Sequence, residues 1–273
     1  MDKQVLLVND LAGYGKVALS AMIPVLSHMG HHIYNLPTAL VSNTLDYGKF
    51  DILETTDYMR NTIQVWKELG FCFDAVSTGF IVSDVQAKMV ADFCREQREN
   101  KAVIFVDPIM GDDGKLYNGI TEQTVAHMRE LVGVSDYIVP NYTEAAYLAD
   151  MAYKPEGMTM EEADRLLQRL RKTGAGSIII TSARVEGQDV VIVYDRESKE
   201  RDLLPFTHIP VRFPGTGDIF SAVFIGKVLE GDTLTDSVQK AMDAVKTLID
   251  RNKGNEDKFK GIPIEACLEV LDR

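Results

Sequence analysis

The sequence predicts an α/β protein, a three-layer arrangement in which helices cover both faces of a mostly parallel sheet that ends in antiparallel edge strands. Three observations carry this. Short apolar runs alternate with amphipathic stretches nearly to the end of the chain, and strand–helix alternation is the pattern of a parallel sheet covered on both faces. Two late strand candidates, VVIVYD and ERDLLPF, follow each other too closely for a helix to fit between them, so they must pair antiparallel. No internal repeat, low-complexity tract or linker interrupts the 273 residues, which read as one domain, 1–273.

QVLLVN opens the chain as a buried strand, and VALSAMIPVLSHMG follows as a helix with Pro24 inside it. HHIYNL, FDAVSTG, AVIFVD, DYIVPN and SIIITS are the next strand candidates. Ser83 with Gln86, and Thr159 with Glu162, have the spacing of capping boxes before apolar-periodic runs, so each should start a helix. Helices are expected over about 217–230, 234–252 and 264–271.

Composition narrows the function classes. The chain is 45% hydrophobic and 26% charged, which is ordinary for a globular protein. A net charge of −12 argues against nucleic acid or an anionic membrane as the main partner, since both require a basic face. An acidic protein still binds nucleotides when backbone amides and a divalent cation neutralise the phosphates. Cys72, Cys94 and Cys267 lie far apart without metal-site spacing, which reads as reduced thiols in a cytoplasmic protein. MDKQVLLVNDLAGYG is too briefly apolar for a signal peptide, and no segment reaches transmembrane length.

Ligands of open α/β sheets bind beyond the carboxyl ends of the strands. The residues at those ends are Asn9-Asp10, Thr78-Gly79-Phe80, Asp107-Pro108, Pro140-Asn141 and Thr181-Ser182, with Gly215 to Asp218 before a late helix. LAGYGKVALS fits neither the P-loop nor the dinucleotide pattern, because Asp10, Val17 and Ala18 stand where glycine, hydroxyl or glycine is required. PGTGDIFSA fits an anion site better. Gly215 and Gly217 flank Thr216 at a helix start, where missing Cβ atoms let backbone N–H groups approach a phosphate. Asp218 there is either a dipole-friendly first-turn acid or a catalytic base. In VDPIMGDDGKLY, Asp107 and Asp112 suit Mg²⁺, whereas Asp113-Gly114 has the chemistry of a turn. Asn141 and Glu144 form either a capping pair or, with Asp107, part of a metal and nucleotide site. Thr181 and Ser182 offer hydroxyls to a phosphate. A phosphate cradle, a metal shell and a base together describe phosphoryl transfer.

The strings NDLAGYGK, LPTALVSN, FDAVSTGF, VDPIMGDDGKLY, VPNYTEAAYL, IIITS and PGTGDIFSA resemble, over almost the whole length, the ribokinase-like superfamily, and most closely its pyridoxal/pyridoxamine kinase branch. PGTGDIFSA is the most specific of them, resembling the Gly-Thr-Gly-Asp anion hole and base of these kinases. The resemblance implies ATP- and Mg²⁺-dependent phosphorylation of the 5′-hydroxymethyl of a vitamin B6 compound. It implies Asp218 as base, Asn141, Tyr117 and Asp107 toward the nucleotide, Glu144 toward the metal, a homodimer, and in some members a monovalent cation.

The match departs on the vitamin side. Asn9-Asp10 stands where the family commonly has Ser-His or His-Asp, Ser42-Asn43-Thr44-Leu45 where it has Ser-x-His-Thr, and Thr78-Gly79-Phe80 where it has Thr-Gly-Tyr. The expected substrate-side residues are therefore Asn9, Thr44, Leu45 and Phe80. Losing polar contacts there changes substrate preference. The alternative substrate is another hydroxymethyl compound, such as the thiamin-precursor pyrimidine, a nucleoside or a sugar. A catalytically dead nucleotide-binding protein is a third reading, against which the presence of Asp218 stands.

Overall fold

The computed structural model describes residues 2–117 and 120–272. The chain forms two compact units, Met1–Gly79 with Ile209–Arg273, and Phe80–His208.

The first unit contains β1 (Gln4–Ala12), α1 (Leu19–His28), β2 (His32–Val41), β3 (Ile52–Glu54), α2 (Thr56–Leu69) and β4 (Ala75–Thr78). From the end of the chain it adds two helices, Thr216–Glu230 (α7) and Leu234–Asn252 (α8). Its strands lie in the order β4-β1-β2-β3. The first three are parallel and β3 pairs antiparallel with β2. Val5 to Val8 of β1 are fully buried, the continuous apolar run expected of a strand covered on both faces. The connection from β1 to β2 moves one way along the sheet, and the connection from β2 to β4 returns across β1. Right-handed crossovers then place α1 and α2 on opposite faces. The reversal leaves a crevice beyond the carboxyl ends of β1 and β4. Apolar on all sides, α7 buries Ile219 to Gly226 and packs on α1 and α8.

The second unit contains α3 (Asp84–Glu99), β5 (Val103–Val106), a small hairpin of β6 (Gly111–Asp112) and β7 (Lys115–Leu116), α4 (Glu122–Val132), β8 (Tyr137–Ile138), α5 (Tyr142–Leu148), α6 (Met160–Lys172), β9 (Ser177–Val185), β10 (Gln188–Tyr194) and β11 (Arg201–Pro205). Its strands run β5-β8-β9-β10-β11. The first three are parallel, and the last two add antiparallel pairings. The α/β class with antiparallel edge strands is thus as the sequence predicts.

Local signals held unevenly. Thr159 and Glu162 close a reciprocal capping box on α6, with N···O distances of 3.3 and 3.0 Å. Ser83 stands at the N-cap of α3, but its hydroxyl makes no capping bond. The Gln86 side-chain carbonyl instead accepts the N–H of Val82, the residue before the N-cap, at 3.1 Å, so the expected reciprocal box is not formed. The helix expected over 264–271 is two short 3-10 segments, Ile264–Ala266 and Leu268–Leu271, interrupted at Cys267, whose φ of −135° is not helical. Asp113 and Gly114, with φ of 50° and 77°, make the turn of the β6–β7 hairpin, as the Asp-Gly chemistry implies. All three cysteines are free.

Thr159→Ala removes the acceptor for the first-turn N–H of α6. Urea denaturation is expected to show a loss of about 1 kcal/mol, with an unchanged m-value.

Candidate active site

At the carboxyl end of β1 the first unit gathers a polar cluster. Gly215 is the N-cap of α7, with φ of 84°, and an added Cβ would lie 2.1 Å from the Lys16 carbonyl oxygen. Only glycine fits such a conformation and so close an approach. Gly215 has no side chain to cap the helix, so the first-turn amides of Thr216, Gly217 and Asp218 have no intrahelical acceptor. A Cβ at Gly217 would meet nothing within 4 Å. An open, amide-rich helix start has the geometry and dipole that favour an anion.

Asp218 sits in the first turn of the same helix. One carboxylate oxygen accepts the Ala18 N–H at 2.8 Å, and the Asn9 side chain bonds the carboxylate as well. Ala18 reaches it from a strained backbone, φ 48° and ψ −130°. Such conformations persist where surrounding structure holds them, often at functional sites. Burial pushes the Asp218 carboxyl up to about 6, against the lowering effect of those two hydrogen bonds. Asp10 is raised to about 7, by burial first and by the charge of Asp218 second. The Asn9 side-chain oxygen Oδ1 accepts the Asp10 N–H at 3.0 Å. A Cβ at Gly79 would strike the Asn9 amide at 2.4 Å, so a glycine at the end of β4 is what allows Asn9 its position.

Thr44 is buried. Its hydroxyl donates to the Phe259 carbonyl at 2.6 Å and its N–H to the Tyr14 carbonyl at 3.0 Å. The hydroxyl is therefore committed to fastening the loop, while Leu45 beside it is 50% exposed. Tyr47 adds a bond of 2.7 Å to Asp257, so the 44–47 loop is tied to the 257–259 turn at two points.

In the second unit, Glu144 is buried at the start of α5. One oxygen accepts the Met110 N–H at 3.0 Å and the other the Asn141 N–H at 2.8 Å. The Asn141 side chain accepts the Glu144 N–H at 2.9 Å and donates to the Gly111 carbonyl at 2.8 Å. The pair is a complete capping box, and it also clasps the 110–111 segment to α5. Burial, followed by the charge of Asp107, raises the Glu144 carboxyl well above its ordinary range. Two carboxyls thus share one buried neighbourhood. Asp112 lies exposed in the hairpin, accepting the Asp113 N–H at 2.9 Å. Tyr117 is also exposed, its N–H bonded to the Met110 carbonyl. Thr181 bridges to Asn141 in parallel fashion, and Ser182 follows with φ of 54°. Phe80 is half-buried.

The structure therefore brings Asn9 and Gly215 to Asp218 together in one unit, and Asp107, Asn141, Glu144 and Thr181 together in the other. Sequence reasoning overlooked two groups in the first. One is the Ala18 N–H, which no side-chain pattern could announce. The other is Asp10, legible as a strand-end acid but not selected.

An open glycine-flanked helix start with an acid in its first turn, on a doubly wound α/β frame, defines a kinase of the ribokinase-like class. Comparison with known proteins agrees. Residues 11–261 match the model of the phosphomethylpyrimidine kinase family, and the chain belongs to that family. Pyridoxal kinase PdxY of Paraburkholderia xenovorans is 27% identical over 264 residues, covering 91% of this chain and 88% of the relative. A Bacteroides thetaiotaomicron protein classed with the phosphomethylpyrimidine kinases, solved with pyridoxal, is 36% identical with a TM-score of 0.94, covering 100% of this chain and 96% of the other. Pyridoxal kinase from Lactobacillus plantarum is 26% identical with a TM-score of 0.90, covering 98% and 96%. The protein is a kinase phosphotransferase.

Glu144→Ala leaves two buried N–H groups without their acceptor. It is expected to lower stability by about 1–3 kcal/mol in thermal or urea unfolding, whereas Glu144→Gln, which keeps an acceptor, loses less.

Proposed function

We propose that this protein transfers the γ-phosphoryl group of ATP to the 5′-hydroxymethyl of a vitamin B6 compound. The observation that carries the reading is the head of α7, where Asp218 stands beside open backbone amides. With a pKa of about 6 the carboxylate is ionised at neutral pH yet more basic than an ordinary aspartate. It takes the hydroxymethyl proton as the bond to phosphorus forms, while the amides of Thr216 and Gly217 stabilise the charge on the transferring group. The Ala18 N–H and Asn9 fix the carboxylate in place. Asn141, Tyr117, Thr181 and Ser182 are assigned to the nucleotide, and Thr44, Leu45 and Phe80 to the substrate side, within one kinase domain.

The carboxyls fit Mg²⁺. Burial first and the charge of Asp107 second raise the proton affinity of Glu144, and a pair of carboxylate oxygens completed by substrate phosphates is the donor set this ion prefers. Glu144 and Asp107, with Asp112, would hold it. When bound, the ion neutralises phosphate charge.

The B6 assignment draws on the pyridoxal solved with the 36%-identical relative and on the names of the pyridoxal kinases. A second reading, the thiamin-precursor pyrimidine, draws on the family to which the chain belongs. Coupled ADP-release assays with ATP, Mg²⁺ and each candidate separate them. Turnover of pyridoxal, pyridoxamine or pyridoxine is expected, and turnover of the pyrimidine alone overturns the reading.

Asp218→Asn is expected to cut kcat by about 100-fold or more. In the wild type, kcat/KM should rise with pH through an apparent pKa of about 6. Stability moves the opposite way. The folded pKa exceeds the ordinary 3.8, so between these values the fold retains a proton that the unfolded chain has lost. Asp218 therefore costs stability once pH passes about 6. Asp218→Asn should stabilise the protein at pH 8 by on the order of 1–3 kcal/mol, with little effect near pH 4.

The two glycines separate structure from chemistry. Gly217→Val puts its side chain into open space, so circular dichroism should remain native while turnover falls by about tenfold or more. Gly215→Ala meets the Lys16 carbonyl and should lower the melting temperature as well. A folded Gly217→Val protein with full activity would exclude the anion site.

A further inference from the structure

Asp10 has a position that the proposed mechanism does not use. In β1 the register with β2 slips between Asn9 and Leu11, where two steps on β1 face three on β2, from Pro37 to Leu40. The extra residue belongs to β2, so alternation along β1 is kept and Asp10 lies on the face of Val8. Val8 pairs with Thr78 of β4, which places Thr78 on that face too. The next residue, Gly79, is directed at the Asn9 side chain, as alternation requires. Asn9 on one face bonds Asp218; on the other stand Asp10 and Thr78.

Two features of this second face need a ligand to complete them. The Thr78 hydroxyl is 1% exposed and has no hydrogen-bond partner, and a buried hydroxyl left unpaired is costly. Asp10, half-buried, has no ion pair among the described residues. Among the described residues, Asp218 on α7 is the charged group whose field raises its carboxyl, and no charged side chain of β2, β4 or α1 shifts it. Two neighbouring carboxyls without a cation are relieved either by a shared proton or by an incoming positive charge.

We propose that Asp10 is a specificity-determining residue that, with the Thr78 hydroxyl beside it, receives an ammonium nitrogen of the substrate. This rests on the B6-kinase reading and deepens it. In pyridoxamine the aminomethyl group is on the ring carbon adjacent to the one bearing the hydroxymethyl. A molecule presenting its hydroxymethyl to Asp218 therefore has its ammonium close by, within reach of a second carboxyl at the same strand end. Pyridoxal carries an aldehyde there and makes no such pair. On binding, the Asp10 carboxyl loses its proton to solvent and the ammonium takes the place of that proton, so charge in the cluster is conserved. The elevated proton affinity of Asp10 agrees with this exchange.

Two measurements test it. Titration calorimetry of pyridoxamine into wild-type protein at pH 6, in buffers of different ionisation enthalpy, should show net proton release that is absent for pyridoxal and absent in Asp10→Asn. The ratio of kcat/KM for pyridoxamine over pyridoxal should fall about tenfold or more in Asp10→Asn, on the scale of a hydrogen bond to a charged group. In Thr78→Val it should fall a few-fold. Binding of pyridoxamine to the wild type without proton release overturns the proposal and does not depend on any variant folding. An unchanged ratio in folded Asp10→Asn also overturns it. If both vitamers are phosphorylated and either of these results is found, only the role of Asp10 fails. If the wild type neither binds nor phosphorylates any B6 compound, the B6 reading and this inference fall together.

Discussion

One hydrogen bond organises the candidate site of the first unit, the donation of the Ala18 N–H to Asp218 across 200 residues of sequence. It requires Ala18 to hold an unfavourable backbone conformation, and it requires α7 to start close against the loop that follows β1. The second requirement is met by Gly215, whose missing Cβ lets the helix start rest against the Lys16 carbonyl. The open first-turn amides, the placing of the carboxylate and its Ala18 donor are therefore consequences of one close approach of two backbones. A side chain at Gly215 would push them apart together.

The two units solve the problem of buried carboxyls differently. Glu144 accepts backbone N–H groups at both oxygens, and those bonds fasten α5 to the strand-end segment. Asp218 has two donors and Asp10 only its own backbone's influence. Both therefore carry proton affinities well above those of surface aspartates. A fold that needed only stability would place amides or apolar residues there.

In the proposed function the substrate side comprises β1, β4 and the 44–47 loop. The departures from the family pattern at Asn9, Leu45 and Phe80 remove hydroxyls and a histidine from that side. Thr44 does not replace them, because its hydroxyl is committed to the Phe259 carbonyl. What polar chemistry remains there, Asp10 and the unpaired Thr78 hydroxyl, is acidic in character and suited to a donor.

The sequence by itself determined the α/β class, the order of most elements, the antiparallel edge and the position of the glycines that open α7. Each of these is encoded locally, in apolar periodicity, in strand spacing too short for a helix, and in backbone freedom at Gly215. It also contained the capping box of Asn141 and Glu144, since four residues suffice to form it. Tertiary structure alone decided the rest. The bond from Ala18 to Asp218, the commitment of Thr44 to Phe259, the contact of Gly79 with Asn9 and the elevation of Asp10 by the charge of Asp218 all join residues far apart in the chain. A proton affinity depends on burial and on neighbouring charge, and a hydroxyl's availability depends on what lies across from it. Neither is a property of a residue's place in a string, so the same nine letters PGTGDIFSA mark a helix start in sequence and a carboxyl of raised proton affinity only once β1 and its following loop are packed against them.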